Sequence, residues 1–377
     1  MDSKKDLVSR YLYESPYVKD LQQFKNDIVH KRVIPHQVEI QPGPLGKNIC
    51  WLECPYCYGK SAINTPERLS LERYIEVMKD IMAGGCNKFI FAGWATDPLY
   101  YKHIDDLVQT AVDGGAIIGF NTRAIDVSDR LVGLVSHPNL AKKSYMSISV
   151  NAGNNENYNK VNGARSAKAK LYDRVVENVR RIISAKNKTG ASLDISVSYL
   201  INQYTSSKEE VMKFINDFKG AGADLLRFSC PQIPRGDTPG ENTFIPTKEE
   251  YNNYLSELNK IIEESNTDSC RVIVTQNDDI FLKARTTPCF ARFIYPTIGY
   301  DGWLYHCSQS SGSNFRSQAL GNLSTHNFWD LLYDYDSKNL ENYFGACSKK
   351  MEENNCRCDR KEHTVNNSIN IAGFFEI

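Results

Sequence analysis

A short stretch of the chain carries three thiols in the spacing CxxxCxxC. They belong to Cys50, Cys54 and Cys57, and Pro55 lies between the second and third. A proline at this point favours a turn, which can bring the three sulfurs toward one metal centre. Thiolates are soft ligands that suit both zinc and iron-sulfur clusters. The spacing therefore predicts a metal site and leaves the metal open.

The number of ligands narrows the chemistry of this motif. A structural zinc site normally has four protein ligands, and no further Cys or His lies close to the motif in the sequence. Three thiolates suit a [4Fe-4S] cluster that keeps one iron open. The motif, with the aromatic Tyr56 before its last cysteine, resembles the cluster-binding signature of the radical SAM enzymes. The alternatives are a zinc knuckle and incidental buried cysteines.

The resemblance implies cofactors and a reaction. In that family the three cysteines hold a [4Fe-4S] cluster, and the open iron binds S-adenosylmethionine (SAM). Reductive cleavage of SAM gives methionine and a 5'-deoxyadenosyl radical, which abstracts a hydrogen atom from the substrate. An electron donor of the flavodoxin or ferredoxin type is implied as a partner. We therefore expect an enzyme, with a non-catalytic zinc or iron-sulfur protein as the remote alternative.

Composition excludes several other classes of function. Lys plus Arg and Asp plus Glu both number 45, so the formal net charge is zero. This balance gives no electrostatic case for binding nucleic acid or an anionic membrane. No apolar h-region follows the N-terminal residues and no long apolar run occurs, so we expect neither secretion nor a membrane-spanning helix. We expect a cytoplasmic protein, in which eleven cysteines stay reduced and available for metal or chemistry.

Strand and helix patterns alternate along the first two thirds of the chain. Parallel neighbouring strands require crossover connections, so this alternation predicts a parallel α/β fold. The number of strands fits the open six-unit (β/α)6 partial TIM barrel that the resemblance implies. The predicted strands are Val38–Ile40, Phe89–Ala92, Ala116–Phe120, Tyr145–Val150, Leu193–Ile201 and Asp224–Ser229.

Residues that follow the strands are the candidates for binding SAM, because parallel barrels place their chemistry at the C-terminal ends of the strands. Ala95, Thr96, Asp97 and Pro98 follow the second strand and resemble the family's Gly-Gly-Glu-Pro segment. The resemblance implies that this backbone and Asp97 receive the ammonium group of SAM. A polar loop that caps the next helix is the alternative.

Four further residues are candidates at the later strand ends. Ser149 and Asn151 point the same way on the fourth strand and resemble residues that contact the ribose or carboxylate of SAM. Arg165 stands where related enzymes place a cation for the SAM carboxylate, with a solvated surface arginine as the alternative. Cys230 ends the sixth strand and resembles the thiol hydrogen-atom donor of some epimerases. A buried apolar cysteine is its alternative.

A second group of cysteines lies in the C-terminal third. Cys289, Gly302 and Cys307 form a CxnGxxxxC pattern that resembles the opening of the SPASM and twitch modules, which bind auxiliary clusters. Residues 300–303 predict a hairpin turn. We expect one auxiliary [4Fe-4S] cluster, held by Cys289, Cys307 and two later cysteines, with His363 as a substitute ligand and structural zinc as the alternative. The later cysteines are Cys347, Cys356 and Cys358.

These motifs divide the chain into three predicted domains. Residues 1–35 form an N-terminal capping segment, and residues 36–235 form the radical SAM (β/α)6 barrel. A Pro/Gly-rich stretch ends the barrel. Residues 236–377 form a linker and a small SPASM/twitch-like iron-sulfur module.

The substrate is the least determined feature. SPASM and twitch enzymes act on ribosomal peptides, on sulfatase-like proteins and on small molecules such as aminocyclitols. Peptide-modifying members often carry an N-terminal winged-helix module, and the residues before Cys50 look too few for one. We therefore expect a natural-product enzyme that oxidises, rearranges or epimerises a small molecule such as an aminosugar. Crosslinking or epimerisation of a ribosomal peptide is the alternative.

Overall fold

The computed structural model divides the chain into two compact units. The first unit comprises Met1–Pro42, Ala62–Ile90 and Leu282–Ile377, and the second comprises Gly43–Ser61 and Phe91–Phe281. Each unit is built from stretches that are separated in sequence. The division into three domains stays a prediction. The structure describes residues 17–43, 50, 52–57, 67–94, 96–202, 204–205, 207–229, 248–275, 287–353, 358 and 360–376.

All six predicted strands form, each with bounds within two residues of the predicted ones. Apolar and β-branched residues dominate them, as expected for strands that are buried on both faces. Four further strands follow in the C-terminal third. The strands are β1 (Val38–Ile40), β2 (Lys88–Phe91), β3 (Ile117–Thr122), β4 (Ser144–Ser149), β5 (Leu193–Leu200), β6 (Leu225–Ser229), β7 (Arg271–Thr275), β8 (Thr297–Ile298), β9 (Trp303–Tyr305) and β10 (Gly321–Asn322).

Helices connect most of these strands. Three of them begin at a serine whose hydroxyl accepts a backbone N–H three residues on, namely Ser70, Ser128 and Ser207. Such caps satisfy an N–H group that the helix itself leaves without a partner. The helices are α1 (Leu21–Val29), α2 (Leu71–Ala83), α3 (Ile104–Asp113), α4 (Asp129–Val135), α5 (Asn155–Val161), α6 (Leu171–Thr189), α7 (Lys208–Ala221), α8 (Lys248–Ser265), α9 (Ala291–Ile294), α10 (Phe328–Leu332), α11 (Leu340–Glu353) and α12 (Arg360–Ile371).

The second unit holds a parallel sheet with helices between its strands. Strands β3, β4, β5, β6 and β7 lie side by side in chain order, each parallel to the next. Their C-terminal ends therefore meet at one edge, as the predicted site requires. The predicted fold class, an open parallel α/β arrangement, is confirmed.

The first unit joins the start of the barrel to the C-terminal third of the chain. Its strand order is β10, β9, β8, β1, β2. Strand β8 pairs with β1 in parallel, with Thr297 opposite Glu39, and β9 and β10 continue antiparallel. The predicted hairpin turn is confirmed between β8 and β9. Gly302 stands there at φ +79°, in the left-handed region that glycine tolerates.

Aromatic side chains form a core in this first unit. Phe24 of α1 packs with Phe290 and Phe374, whose ring centroids lie 4.7 Å apart. Trp329 of α10 donates its indole N–H to the carbonyl oxygen of Asp80 at 3.1 Å, which ties α10 to α2. In the described part of the chain, no helix is both long and apolar enough to span a membrane.

Candidate functional site

The cysteine turn, residues 50–57, is fixed to the segment that follows α5. The backbone N–H of Cys57 donates to the carbonyl oxygen of Cys54 at 3.1 Å, which closes the turn. The N–H of Glu53 donates to the carbonyl oxygen of Gly163 at 2.9 Å. These bonds position the backbone that carries the thiols.

Gly163 permits this close approach. Its φ is +61°, and a Cβ built there would lie 2.3 Å from the carbonyl oxygen of Glu53. Any side chain would therefore push the cysteine turn away. The requirement is long-range, since Glu53 and Gly163 lie far apart in sequence.

The three thiols of the turn are partly buried. Burial, together with the nearby charge of Cys54, raises the pKa of Cys50 to about 12. A bound cation reverses this effect, because coordination stabilises the thiolate. Within the described residues, no three Cys, His, Asp or Glu side chains come close enough together to hold a single metal ion.

Arg123, which the sequence analysis did not single out, lies against the cysteine turn. It follows β3 directly. Its Nη2 lies 3.4 Å from Sγ of Cys54 and 2.6 Å from Oη of Tyr56. Its Nη1 donates to Oδ1 of Asn162 at 2.9 Å and to the carbonyl oxygen of Ser149 at 3.0 Å. The signal that could have found it is its position at a strand end.

Two asparagines complete the surroundings of Tyr56. Asn151 donates its amide N–H to the Tyr56 phenol at 2.6 Å and accepts the N–H of Leu200 at 2.9 Å. The phenol donates to Asn162, which donates to the carbonyl oxygen of Val150 at 3.0 Å. Burial raises the pKa of Tyr56 well above its usual value, so the phenol keeps its proton. Asn151 and Tyr56 therefore bind each other, and their contacts with SAM stay predictions.

Asp97 is buried and bound to the end of β3. Its carboxylate accepts the Thr122 hydroxyl at 2.7 Å and the N–H groups of Leu99 at 3.0 Å and Arg123 at 2.5 Å. Burial raises the pKa of this carboxyl despite these donors. Asp97 thus caps the short 3-10 helix Pro98–Tyr100. That is the alternative stated from the sequence, and its contact with the SAM ammonium stays a prediction.

The loop before Asp97 leaves one polar atom for a ligand. The hydroxyl of Thr96 is buried and has no hydrogen-bond partner among the described residues. A Cβ on Gly93 would lie 1.7 Å from the carbonyl oxygen of Thr96, so the loop folds tightly on itself. A buried hydroxyl without a partner costs about 1–3 kcal/mol, and an ammonium group would supply the missing donor. The donor set of this loop therefore fits SAM.

Of the remaining residues predicted for this site, two are described in the structure and two are not. Ser149 ends β4, and its Oγ lies 3.3 Å from Oγ of Ser198. Arg165 is partly exposed and pairs with Glu53 of the cysteine turn at 3.4 Å. Ala95 and Cys230 lie outside the described residues.

The second cysteine group gathers in the first unit. Cys289 and Cys307 are buried in one cluster, and Cys347 of α11 packs against it. Cys358 is also buried. Burial, then the charge of Glu362, and further the charge of Cys358, raise the pKa of Cys307 to about 12. Cys289, Cys307 and Cys347 therefore pack together, and Cys358 lies near enough for its charge to act on Cys307.

Polar side chains from α12 and the loop after β9 reach these sulfurs. The amide of Asn366 lies 3.7 Å from Sγ of Cys289, and the hydroxyl of Ser310 lies 3.5 Å from Sγ of Cys307. His363 contacts Asn367, with Nε2 at 2.8 Å from the amide nitrogen. Cys356 lies outside the described residues.

Comparison with known proteins supports the interpretation of the first site. Residues 47–215 match the family model of the radical SAM superfamily. This match includes the cysteine turn and Arg123. A search of curated proteins finds no significant match.

Three solved structures illustrate the shared fold. Streptococcus suis SuiB bound to S-adenosylmethionine is 15% identical, with 82% of this chain and 68% of that chain covered and a TM-score of 0.57. SuiB bound to its precursor peptide SuiA is 14% identical, with 84% and 69% covered and a TM-score of 0.58. Native anSMEcpe with AdoMet and the Cp18Cys peptide is 16% identical, with 83% and 82% covered and a TM-score of 0.56.

Substituting Gly163 tests the fixing of the cysteine turn. We expect Gly163→Ala to lose roughly half of the iron bound after anaerobic reconstitution, because the added Cβ displaces Glu53 and the turn. Gly190→Ala is the matched control, since Gly190 also has a positive φ but no atom within 4 Å of its added Cβ. Equal iron content in the two variants would contradict the prediction.

Substituting Asp97 tests its role at the end of β3. We expect Asp97→Ala to lower the free energy of unfolding by about 1–3 kcal/mol, because three donors lose their acceptor. Urea unfolding of the apoprotein measures this. Asp113→Ala, which removes an exposed carboxylate that accepts only the Gln109 amide in the described contacts, should change it by about 0.5 kcal/mol or less. A loss of similar size in both variants would rule out the proposed network.

Proposed function

We propose that this chain is a radical SAM enzyme, as the match of residues 47–215 to the model of that superfamily indicates, and that it acts on a ribosomally made peptide. Its general reaction begins with the reductive cleavage of SAM at a [4Fe-4S] cluster. The peptide is the alternative that the sequence left open, and it replaces the small molecule that the sequence favoured. Crosslinking and epimerisation are the two reaction types that fit it.

One observation supports the peptide. The family match ends at residue 215, whereas the likeness to SuiB and anSMEcpe covers 83–84% of this chain and so must extend beyond that residue. Both of those proteins have been solved with a peptide bound. The small-molecule expectation finds no such support among these structures.

Different residues of the second unit bind the first cluster and SAM. Cys50, Cys54 and Cys57 hold the cluster, which when bound supplies the electron that cleaves SAM. Thr96 and Asp97 would receive the SAM ammonium group. Further contacts to SAM come from Tyr56, Ser149 and Asn151 and, for the carboxylate, from Arg165. The electron comes from a donor of the flavodoxin or ferredoxin type.

The C-terminal cysteines hold one auxiliary [4Fe-4S] cluster. Its ligands are Cys289, Cys307 and Cys347, which pack together, and Cys358, which is buried and acts through its charge on Cys307. A [4Fe-4S] cluster takes about four protein ligands, so these four cysteines are enough and His363 is not needed as a ligand. The amide of Asn366 and the hydroxyl of Ser310 would donate to its sulfurs.

Substituting single cysteines separates the two clusters. We expect Cys54→Ala to abolish formation of 5'-deoxyadenosine from SAM and reductant. Cys307→Ala should lose about four iron atoms per chain and all peptide turnover, yet keep some uncoupled cleavage of SAM. Cys270→Ala is the control, because Cys270 is a buried cysteine outside both groups and should keep full iron. Full iron content in Cys307→Ala would contradict the proposed auxiliary cluster.

The substrate class is tested with peptides encoded by the reading frames that flank the gene. Each is made synthetically and incubated anaerobically with reconstituted enzyme, SAM and a chemical reductant. We expect one of them to change in mass or in residue stereochemistry and to raise 5'-deoxyadenosine formation at least tenfold. Mass spectrometry and chiral amino-acid analysis provide the readout. Stimulation by an aminocyclitol and by none of the peptides would overturn the peptide proposal.

A further inference from the structure

The guanidinium of Arg123 contacts the cysteine turn but cannot bind iron itself, so its presence at the first site needs another explanation. We propose that Arg123 is a positioning residue that raises the reduction potential of the [4Fe-4S] cluster at Cys50, Cys54 and Cys57, by donating to Sγ of Cys54 and placing a positive charge beside it. This inference rests on the radical SAM domain and is independent of the substrate class.

Hydrogen bonds hold the guanidinium in one orientation. Nη1 donates to Asn162 at 2.9 Å and to the carbonyl oxygen of Ser149 at 3.0 Å. Nη2 donates to the Tyr56 phenol at 2.6 Å, which leaves its second N–H directed at Sγ of Cys54 at 3.4 Å. Four acceptors on a planar fork fix it more firmly than one ion pair would.

The charge of the guanidinium is not cancelled by its nearest neighbours. An arginine guanidinium keeps its positive charge in a folded protein. The Tyr56 phenol donates to Asn162, so it carries its proton and no charge. Asp97 is the nearby carboxylate, and it binds the backbone N–H of Arg123. Cys54 is thus the cysteine of the turn that the guanidinium faces directly.

Charge and hydrogen bonding at the sulfurs are the quantities that set cluster potentials. Reduction adds one electron, taken from the external donor, and forms or breaks no bond. The reduced cluster carries one more negative charge, so a neighbouring cation and an N–H donor stabilise it more than the oxidised form. Arg123 therefore eases the electron transfer that precedes cleavage of SAM.

The test is a potentiometric titration of the full reconstituted chain, followed by electron paramagnetic resonance. The signal of this cluster is recognised because it changes when SAM is added. In Arg123→Gln the ratio of reduced to oxidised cluster at a fixed potential should fall about tenfold, which is ~59 mV for one electron. Arg123→Lys keeps the charge but cannot donate to Cys54, Tyr56 and Asn162 together, so its ratio should fall about threefold.

Arg130→Gln is the matched control. Arg130 lies in the same unit and pairs with Asp106 at 2.7 Å on the surface, so its loss should leave the potential unchanged. An unchanged ratio in Arg123→Gln with full iron content would overturn the proposal. If Arg123→Gln does not hold iron, the test uses Arg123→Lys instead. An unchanged or raised ratio of reduced to oxidised cluster in that variant would equally overturn the proposal. The readout uses no substrate, so a failure of the peptide proposal is distinguishable from a failure of this one.

Discussion

The binding of the cysteine turn to the segment after α5 and to the end of β3 is the constraint on which the site depends. A turn of eight residues makes too few contacts of its own to fix three thiols. Its position comes instead from the backbone bond between Glu53 and Gly163 and from the guanidinium of Arg123. Gly163 cannot carry a Cβ without displacing Glu53, so the backbone contact is also a steric requirement.

A continuous hydrogen-bonded network extends from this turn into the sheet. Asp97 binds the N–H of Arg123, whose side chain binds Tyr56 and Asn162, and Asn151 binds Tyr56 from the other side. A buried network in which each group has a partner rigidifies its surroundings. The ends of β3 and β4 therefore position one another as well as the thiols. Such support is what a reactive site needs if it is to hold a ligand in one geometry.

Local pattern was sufficient to predict the strands and the hairpin turn at Gly302, because each depends on residues close in sequence. Contacts between distant segments were not predictable in this way. The pairing of β1 with β8 and the approach of Gly163 to Glu53 are tertiary facts without a local signal. Arg123 was missed for a different reason: its position after a strand was informative, but no family motif drew attention to it.

The most direct test of the proposed cluster and SAM sites is a crystal structure of the anaerobically reconstituted protein with SAM, in which iron is located by anomalous scattering. The account predicts one iron cluster at Cys50, Cys54 and Cys57 with SAM on its open iron, the guanidinium of Arg123 against Cys54, and a second cluster among the C-terminal cysteines. Zinc in place of iron at the cysteine turn, or SAM bound away from it, would contradict the account.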